Sequence, residues 1–359
     1  MQKTRLNLFN ISGLYALTLF ITAATAILCN PSIASKGAVS GLKICSSVVI
    51  PALFPFTAVS IFFQKSGAID TVGKIFNCFS QKIFKIGGSS FAVVLLSLIS
   101  GYPIGAKIID EMYSSKAITK SEALNLLKYS VNPSPAFFIS VIGYNLLGSK
   151  NIGVILLTAN LLACFLIMFL NRFSYKRVAF TPKTYKSEHT VSLSDAFVQS
   201  VSQSAKTIIS ICAFVTLFSC ISELLKTIIT STKLSAILTA FLEITFGAVE
   251  ISKIGIPVYL YSFLLAFGGL STICQVKQAA GTLKPTFIYI IFYRVIHGIT
   301  ATLLSLILFK IFPQATSVIS NSVDIKFSGF PLFLPSIAQL LMAIVFLAYL
   351  KPNEKPYHN

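Results

Sequence analysis

The dominant feature of this chain is a series of apolar runs on the scale of a lipid bilayer. A membrane-spanning helix needs about 20 mostly apolar residues. Only 11% of the residues are charged, against roughly a quarter in soluble domains. The alternating pattern of a transmembrane barrel is not present in the sequence. The sequence therefore predicts an all-α polytopic membrane protein, with spans near 6–28, 44–64, 136–149, 151–171, 196–225, 285–311 and 331–350.

Two further apolar stretches, 88–112 and 256–280, are interrupted in their middle. The first contains Ser100-Gly101-Tyr102-Pro103-Ile104-Gly105-Ala106, and the second contains Gly268-Gly269-Leu270-Ser271-Thr272. Proline and glycine disfavour an uninterrupted helix. Non-helical backbone at membrane depth is tolerated only where it is buried in protein or lines a polar cavity. Both stretches are therefore expected to be broken or re-entrant.

The two halves of the chain share one plan on either side of a polar segment, 172–195. Each half has a long span, an amphipathic segment, an interrupted segment and a further span. The positive-inside rule, with the N-terminus inside, makes the second half run in the opposite sense. We therefore predict two inverted repeats, each with a broken or re-entrant helical segment, an arrangement that marks the solute site of many secondary transporters.

The predicted organisation has five parts. Residues 1–36 form an N-terminal transmembrane helix and linker, which we interpret as uncleaved although Ala24-Thr25-Ala26 resembles a signal-peptidase site. The others are the first repeat (37–171), a basic cytoplasmic loop (172–195), the second repeat (196–311), and a loop with a C-terminal transmembrane helix (312–359). In this topology 114–118 lies on the side of the basic loop, and 281–284 lies on the opposite side.

The net charge of +18 does not indicate nucleic-acid binding, because the Lys and Arg residues are scattered between apolar runs. Basic cytoplasmic loops facing anionic lipid account for them, with the bilayer as partner. The seven cysteines contain no C-x-x-C pair, so neither a disulfide framework nor a metal site is predicted. Because no P-loop or hydrolase motif is present, we expect neither an enzyme nor a cofactor.

The interrupted segments supply the candidate solute ligands. Glycine lets a solute approach the backbone, freed N–H groups attract anions, and hydroxyls add hydrogen bonds. The alternative is a pair of kinked helices packed through small residues. The candidates are Ser100, Gly101, Pro103, Gly105, Gly268, Gly269, Ser271, Thr272 and, one turn later, Gln275.

Four ionisable residues in apolar surroundings are further candidates. Glu243 and Glu250 are seven residues apart in the mostly apolar segment 233–252, hence on one helix face, and intramembrane carboxylates commonly mark ion paths. The alternative is an interfacial helix with Glu250 in water. Arg294 suits bidentate binding of a solute carboxylate, or else pairs with Glu243 as a structural salt bridge. His297 lies one turn from Arg294 and joins the ion-coupling candidates.

Several motifs resemble a known family. Val49-Ile50-Pro51-Ala52-Leu53-Phe54-Pro55-Phe56, Ser100-Gly101-Tyr102-Pro103-Ile104-Gly105-Ala106-Lys107 and Asn132-Pro133-Ser134-Pro135 look like the YlbJ-type sporulation integral membrane proteins. These carry the nucleoside-recognition "gate" domain that also occurs in concentrative nucleoside transporters. The resemblance covers about 37–311, implies two gate-like repeats, and adds Asn132 and Ser134 to the solute ligands.

The resemblance implies a function in endospore formation, the movement of dipicolinic acid from the mother cell towards the forespore. We therefore expect a secondary transporter of a small anionic solute, in the cell membrane, specifically the mother-cell-derived membrane around the forespore. The alternative is a non-transporting scaffold or sensor of the sporulation envelope. A homo-oligomer is left open by the sequence.

Overall fold

A computed structural model describes residues 11–174 and 192–313. Within these ranges every regular element is a helix, which confirms the predicted all-α class. The basic segment 175–191, the C-terminal span near 331–350 and the first ten residues lie outside the described residues. The helices are α1 (Ile11–Cys29), α2 (Pro31–Ile44), π1 (Cys45–Val49), α3 (Ile50–Lys65), α4 (Ala68–Phe84), α5 (Gly88–Ser100), α6 (Tyr102–Ser114), α7 (Lys120–Leu127), π2 (Phe137–Leu146), α8 (Lys150–Ser174), α9 (Leu193–Ile228), α10 (Thr232–Leu242), α11 (Ile244–Ile254), α12 (Leu260–Phe267), α13 (Gly269–Ala279) and α14 (Phe287–Ile311).

Five stretches in the described ranges are long and apolar enough to cross a membrane, which supports a multi-pass membrane protein. A sixth is reached if α4 and α5, which meet at 94°, are counted together. The amphipathic segment of the first half is α4, and the polar helix α7 follows its cap Thr119, which forms a capping box with Glu122. The five stretches are Pro31–Lys65, Lys150–Phe173, Leu193–Ile228, Leu260–Ala279 and Phe287–Ile311.

The first long helix contains a turn of π-helix where two prolines follow. Pro51 and Pro55 have no N–H to donate to the preceding turn. In π1 the N–H of Ile50 donates to the carbonyl of Cys45, five residues back. Such π-bulges commonly occur at functional sites. Here the bulge turns Val48 and Val49 towards the interior, where both are buried.

Helices α5 and α6 fold back on each other at Gly101, so they form a re-entrant hairpin. A Cβ built on Gly105 would lie 2.6 Å from the Cβ of Ser97, which shows that the two sides of the break touch. Gly101 has φ 97°, a conformation that side chains rarely adopt. Ser60 on α3 and Ser100 share a hydrogen bond that holds the tip of this hairpin. The re-entrant form predicted for 88–112 is what the structure has.

A second re-entrant hairpin is formed by α10 and α11, with its tip at Glu243. A Cβ on Gly247 would lie 2.1 Å from the Cα of Ala240, so the helices pack backbone to backbone. Glu243 has extended backbone and caps α11. The sequence-based expectation of one continuous helix over 233–252 is wrong, because Glu243 ends α10 with its own backbone and starts α11 with its side chain.

Contacts between elements show which ends of the helices lie together. Lys128 Nζ donates to Asn171 Oδ1 at 3.0 Å, and the Tyr289 hydroxyl donates to the Leu124 carbonyl at 2.7 Å. Thr282 N donates to Asp110 Oδ1 at 3.0 Å. These residues define one end of the bundle, which we call the basic end because the basic segment 172–187 starts there.

The opposite end holds the start of α12. Ser305, near the end of α14, donates to the Tyr259 carbonyl at 3.2 Å. Because Tyr259 lies at the opposite end and Thr282 at the basic end, α12 and α13 together cross the bundle. The expectation that 256–280 returns to its own side, with 281–284 opposite the basic loop, is wrong. Gly268 and Gly269 break the helix without reversing it.

The remaining directions follow from the same contacts. Helix α7 lies at the basic end, the loop 129–136 leads from it into the middle of the bundle, and π2 continues to the opposite end. A Cβ on Gly143 in π2 would lie 2.7 Å from the Cα of Gly153 in α8, so these two pack closely before α8 returns. The correspondence predicted between 88–112 and 256–280 therefore fails, since one folds back and the other crosses. The inverted-repeat relation itself stays a prediction.

Candidate functional site

A narrow internal pocket lies where four interruptions of the helices meet. Both hairpin tips reach it, and so do the loop before π2 and the first turn of α13. Its volume is about 40 Å³, enough for about three waters. Residues at the interruptions are Gly101, Tyr102, Pro103, Pro133, Ser134, Phe137, Glu243, Ile244, Thr245, Thr272 and Gln275, and the apolar walls are Val48, Val49, Ala52, Leu53, Ile211 and Val215.

Glu243 is the only ionisable carboxyl group among the residues that line this pocket. Its side chain is buried, and one carboxylate oxygen accepts from the Phe246 N–H at 2.6 Å. None of the salt bridges formed within the described residues involves Glu243. A buried carboxyl group without a cationic partner is costly unless a proton or cation accompanies it. The position therefore suits a group that takes up and releases such an ion.

A wider cavity of about 250 Å³ adjoins the pocket on the side of the basic end. We call it the vestibule. Pro103, Ile211 and Gln275 line both the pocket and the vestibule. The vestibule is bordered by α6, α9 and α13, and its other lining residues are Lys107, Lys206, Thr207, Ser210, Gln278 and Ala279. The pocket therefore has a polar, cationic approach from one end of the bundle.

The structure brings part of the predicted solute-binding set into the pocket. Those that line it are Gly101, Pro103, Ser134, Thr272 and Gln275. Those that lie away from its lining are Ser100, Gly105, Asn132, Gly268, Gly269, Ser271 and Arg294. Gly105 has a packing role, because a Cβ there would lie 2.2 Å from the Ser130 carbonyl oxygen. Ser271 is buried behind the pocket and accepts from Gln275 Nε2 at 3.3 Å.

The two glycines of the second break support the pocket from behind. Gly268 and Gly269 have φ of 81° and 80°, so each adopts a left-handed conformation. A Cβ on Gly268 would lie 3.1 Å from the ring of Tyr102, and one on Gly269 would lie 3.1 Å from the Leu242 carbonyl oxygen. The second break thus packs against both hairpin tips, which keeps the interruptions together.

Arg294 binds backbone carbonyl groups near helix ends and does not line the pocket. Its guanidinium donates to the carbonyl of Val131, and to the carbonyls of Lys128 at 2.7 Å and Ala266 at 3.4 Å. The carbonyls of Lys128 and Ala266 lie at the ends of α7 and α12, where they lack intrahelical partners, and that of Val131 lies in the loop after α7. The alternative in which Arg294 pairs with Glu243 is wrong within the described structure, since Arg294 makes no salt bridge there.

His297 belongs to the same buried network as Arg294. Its Nδ1 lies 3.3 Å from Arg294 Nη2, and its Nε2 lies 3.3 Å from the Asn160 carbonyl. Asn160 in turn donates to Asn132 Oδ1 at 3.4 Å, and Asn132 donates to the Tyr129 carbonyl at 2.7 Å. Asn132 and His297 therefore stabilise the loop that presents Ser134 to the pocket.

Glu250 lies far along α11 from Glu243 and forms ion pairs at the opposite end. Its carboxylate is 2.8 Å from Lys253 Nζ and 3.2 Å from Lys226 Nζ. Lys226 also pairs with Glu223 at 2.6 Å, on its own helix α9. The predicted common face of Glu243 and Glu250 does not exist, because Glu243 is the cap of α11 and not part of its regular turns.

Sequence reasoning missed several residues of the site. Tyr102 lines the pocket and its hydroxyl donates to the Leu265 carbonyl, which ties the first hairpin to α12. Thr245 lies beside Glu243, and Phe137 follows the Asn132–Pro135 turn. Lys206 and Ser210 of the vestibule lie on a long apolar helix without any interruption. The prolines after π1 were the available signal for the wall formed by Val48 and Val49.

The groups that line the pocket are of kinds that bind a solute non-covalently. Within the described ranges no group of three or more His, Cys, Asp and Glu side chains could hold a metal. The pocket offers one carboxyl group, hydroxyls, an amide and the N-terminal ends of α6 and α13, all beside apolar walls. Such a set can bind a small, partly apolar solute together with an ion.

The chain is similar to one curated protein, the sporulation integral membrane protein YlbJ of Bacillus subtilis (strain 168). The two are 24% identical over an alignment 350 positions long, and the match covers 85% of this chain and 85% of the relative. No family model and no solved structure matches the chain, so the link to nucleoside-recognition domains is not shown. The similarity extends over most of both chains and agrees with the resemblance to the YlbJ-type sporulation integral membrane proteins that the motifs indicate.

Proposed function

We propose that this protein is a secondary transporter of a small anionic solute that acts in a membrane during sporulation, with dipicolinate as the favoured solute. The observation that carries the proposal is the pocket at the meeting point of two hairpin tips and two broken spans. Discontinuous helices that present backbone groups near the membrane midplane are characteristic of solute sites in secondary transporters. A scaffold has no need of such a pocket.

The arrangement also supports an inverted-repeat architecture with a new correspondence. Each half would contain a span, a re-entrant hairpin, a broken span and a further span. The hairpin α5–α6 would match α10–α11, and the broken span α7–π2 would match α12–α13. The two hairpins would enter from opposite ends of the bundle. The two broken spans would run in opposite directions. The two hairpin tips then face the pocket from the two sides of the membrane, as alternating access requires.

The groups that line the pocket match those of a flat ring that carries carboxylates. Leu53 and Phe137 supply apolar surface for a ring, while Thr272 and Gln275 supply hydrogen bonds. The N-terminal ends of α6 and α13 favour negative charge. The pocket is too small for a ring in its present shape, so binding requires the hairpin tips to separate. The vestibule leads to the pocket from the basic end, so this end is the accessible one.

Glu243 gives the proposed transport its coupling. A solute anion and an ionised carboxylate repel each other strongly in a pocket of this size. Binding of the anion is therefore linked to uptake of a proton or cation at Glu243, and release of one is linked to release of the other. Because the Glu243 carboxylate is negative like the solute, it acts as the coupling group and not as a ligand of the solute.

The test is transport of labelled pyridine-2,6-dicarboxylate by the purified full chain in proteoliposomes. We expect saturable uptake above that of protein-free vesicles, with competition by unlabelled dicarboxylate and none by uridine. If labelled uridine is taken up in the same vesicles and the labelled dicarboxylate is not, the solute class is a nucleoside. If neither solute is transported or bound, the transporter proposal is wrong and the scaffold role takes its place.

A further inference from the structure

The vestibule carries a feature that the proposed central site does not explain. Lys107 on α6 and Lys206 on α9 both line it, and no Asp or Glu is among its lining residues. The carboxylate nearest along α6, Glu111, accepts a hydrogen bond from Gln64. Glu111 and Lys65 both lie within electrostatic reach of Lys107, so one carboxylate there is set against Lys65, Lys107 and Lys206. The approach to the pocket is therefore a region of positive charge.

The neutral lining groups of the vestibule are suited to a carboxylate. Thr207 and Ser210 lie on the face of α9 that borders the cavity, and Gln275 and Gln278 lie on α13. Ser210 Oγ donates to Gln278 Oε1 at 2.6 Å, which orients the amide. With its oxygen engaged, the amide of Gln278 presents its NH₂ group as a donor. Ammonium and amide donors around one cavity are the groups that bind carboxylates.

Gln275 connects the vestibule to the pocket, since its side chain lines both. The vestibule volume of about 250 Å³ is several times the pocket volume of about 40 Å³. A solute too large for the closed pocket therefore has space in the vestibule. The negative charge of the solute lies near lysines in the vestibule, whereas in the pocket it lies near Glu243.

We propose that the vestibule is a separate anion-binding subsite, in which Lys107 and Lys206 hold a small carboxylate before it passes Gln275 into the pocket. The identity of the solute rests on the proposed function, but the subsite itself requires only a carboxylate or another small anion. Because the two lysines act by charge, the subsite raises the local concentration of anions and lowers that of cations.

The test measures the charge preference of the vestibule directly, without transport. In the full chain, Thr207→Cys places a thiol on the vestibule wall. Its reaction with an anionic methanethiosulfonate (sulfonatoethyl) is compared with that of a cationic one (trimethylammonioethyl), and tandem mass spectrometry separates position 207 from the native Cys212. We expect the ratio of anionic to cationic rates to fall by about tenfold when Lys107→Gln and Lys206→Gln are added. Pyridine-2,6-dicarboxylate should slow the anionic reagent only in the variant that keeps both lysines.

Lys120→Gln is the matched control, because Lys120 is exposed at the same end of the bundle and does not line the vestibule. It removes one positive charge, as Lys107→Gln or Lys206→Gln does singly, and should leave the rate ratio unchanged. A ratio that does not respond to the Lys107 and Lys206 changes, or responds equally to Lys120→Gln, would overturn the subsite whether or not the protein transports dicarboxylate. If the unmodified protein shows the expected rate ratio but transports no dicarboxylate in proteoliposomes, the proposed function is wrong and the subsite is retained.

Discussion

Glu243 is the residue on which the proposed coupling depends, because it is the carboxyl group that the pocket encloses. In Glu243→Gln the amide oxygen can still accept from the Phe246 N–H, so the cap of α11 is retained while the ionisable group is lost. We expect solute exchange between equal pools to continue and accumulation driven by an imposed ion gradient to fall at least about tenfold, the effect of about 1.4 kcal/mol of coupling. The measurement is proteoliposome uptake with and without the gradient.

Glu250→Gln is the companion variant for Glu243→Gln. It removes a carboxylate from the same helix, at a position that pairs with Lys226 and Lys253 at the opposite end. Gradient-driven accumulation should persist in this variant. If Glu243→Gln accumulated solute as the unmodified protein does, Glu243 would have only its capping role.

At the residue scale the sequence predicts which groups are unusual but not their partners. A carboxylate in an apolar segment is a sound signal of function, and Glu243 lies in the pocket. Arg294 gives an equally strong signal and yet binds the carbonyls of Lys128, Val131 and Ala266. Those carbonyls are free only because two helices end near α14, a fact of tertiary structure that residue types do not reveal.

The hairpin tip at Gly101 is the element whose shape most affects the pocket. Its φ of 97° excludes a side chain without strain of about 1–3 kcal/mol. A Cβ there would lie 3.6 Å from Leu53 and 3.7 Å from Ser134, so a larger side chain would enter the pocket. We expect Gly101→Leu to insert in the membrane and to lose solute uptake, measured by proteoliposome transport together with the yield of folded protein.

The control for Gly101→Leu must carry the same backbone strain elsewhere. Gly255 has φ 65° with nothing within 4 Å of a built Cβ, and it ends α11 away from the pocket. Gly255→Leu should therefore lose some stability while keeping transport. Equal transport by both variants would remove the Gly101 tip from the site.

At the element scale, glycine and proline predict where helices break but not how the chain continues. The breaks at Gly101 and Gly268 have similar signals, yet α6 turns back and α13 continues across. The tip of the other hairpin, Leu242-Glu243-Ile244, contains neither glycine nor proline. Its turn forms because Glu243 caps α11 and Gly247 lets α11 pack on Ala240, and neither contact leaves a periodic pattern in the sequence.

On the scale of the whole molecule, the two halves are held together by close packing of α2 on α9. Gly37 and Gly41 form a small-residue motif on α2. A Cβ on Gly37 would lie 2.7 Å from the Cα of Cys220, and one on Gly41 would lie 2.8 Å from the Cα of Thr216. The spacing of these glycines is visible in the sequence, but their partners lie about 180 positions further along the chain.

The direction of the segment 256–280 decides the topology of the whole second half. If α12 and α13 cross, Thr282 is on the same face of the membrane as Lys116, and Lys233 is on the other face. The hydrogen bonds from Thr282 and Leu283 to Asp110 require that α12 and α13 cross, since Asp110 lies on α6 at the basic end. Lys116, Thr282 and Lys233 are all exposed.

Single substitutions Lys116→Cys, Thr282→Cys and Lys233→Cys in a Cys-less protein, probed with an impermeant maleimide in oriented vesicles, test this directly. We expect positions 116 and 282 to label from one face and position 233 from the other. Labelling of 282 together with 233 would mean that α12 and α13 re-enter on their own side. The pocket would then lose Thr272 and Gln275, because a re-entrant α13 could not run beside α6 to the basic end.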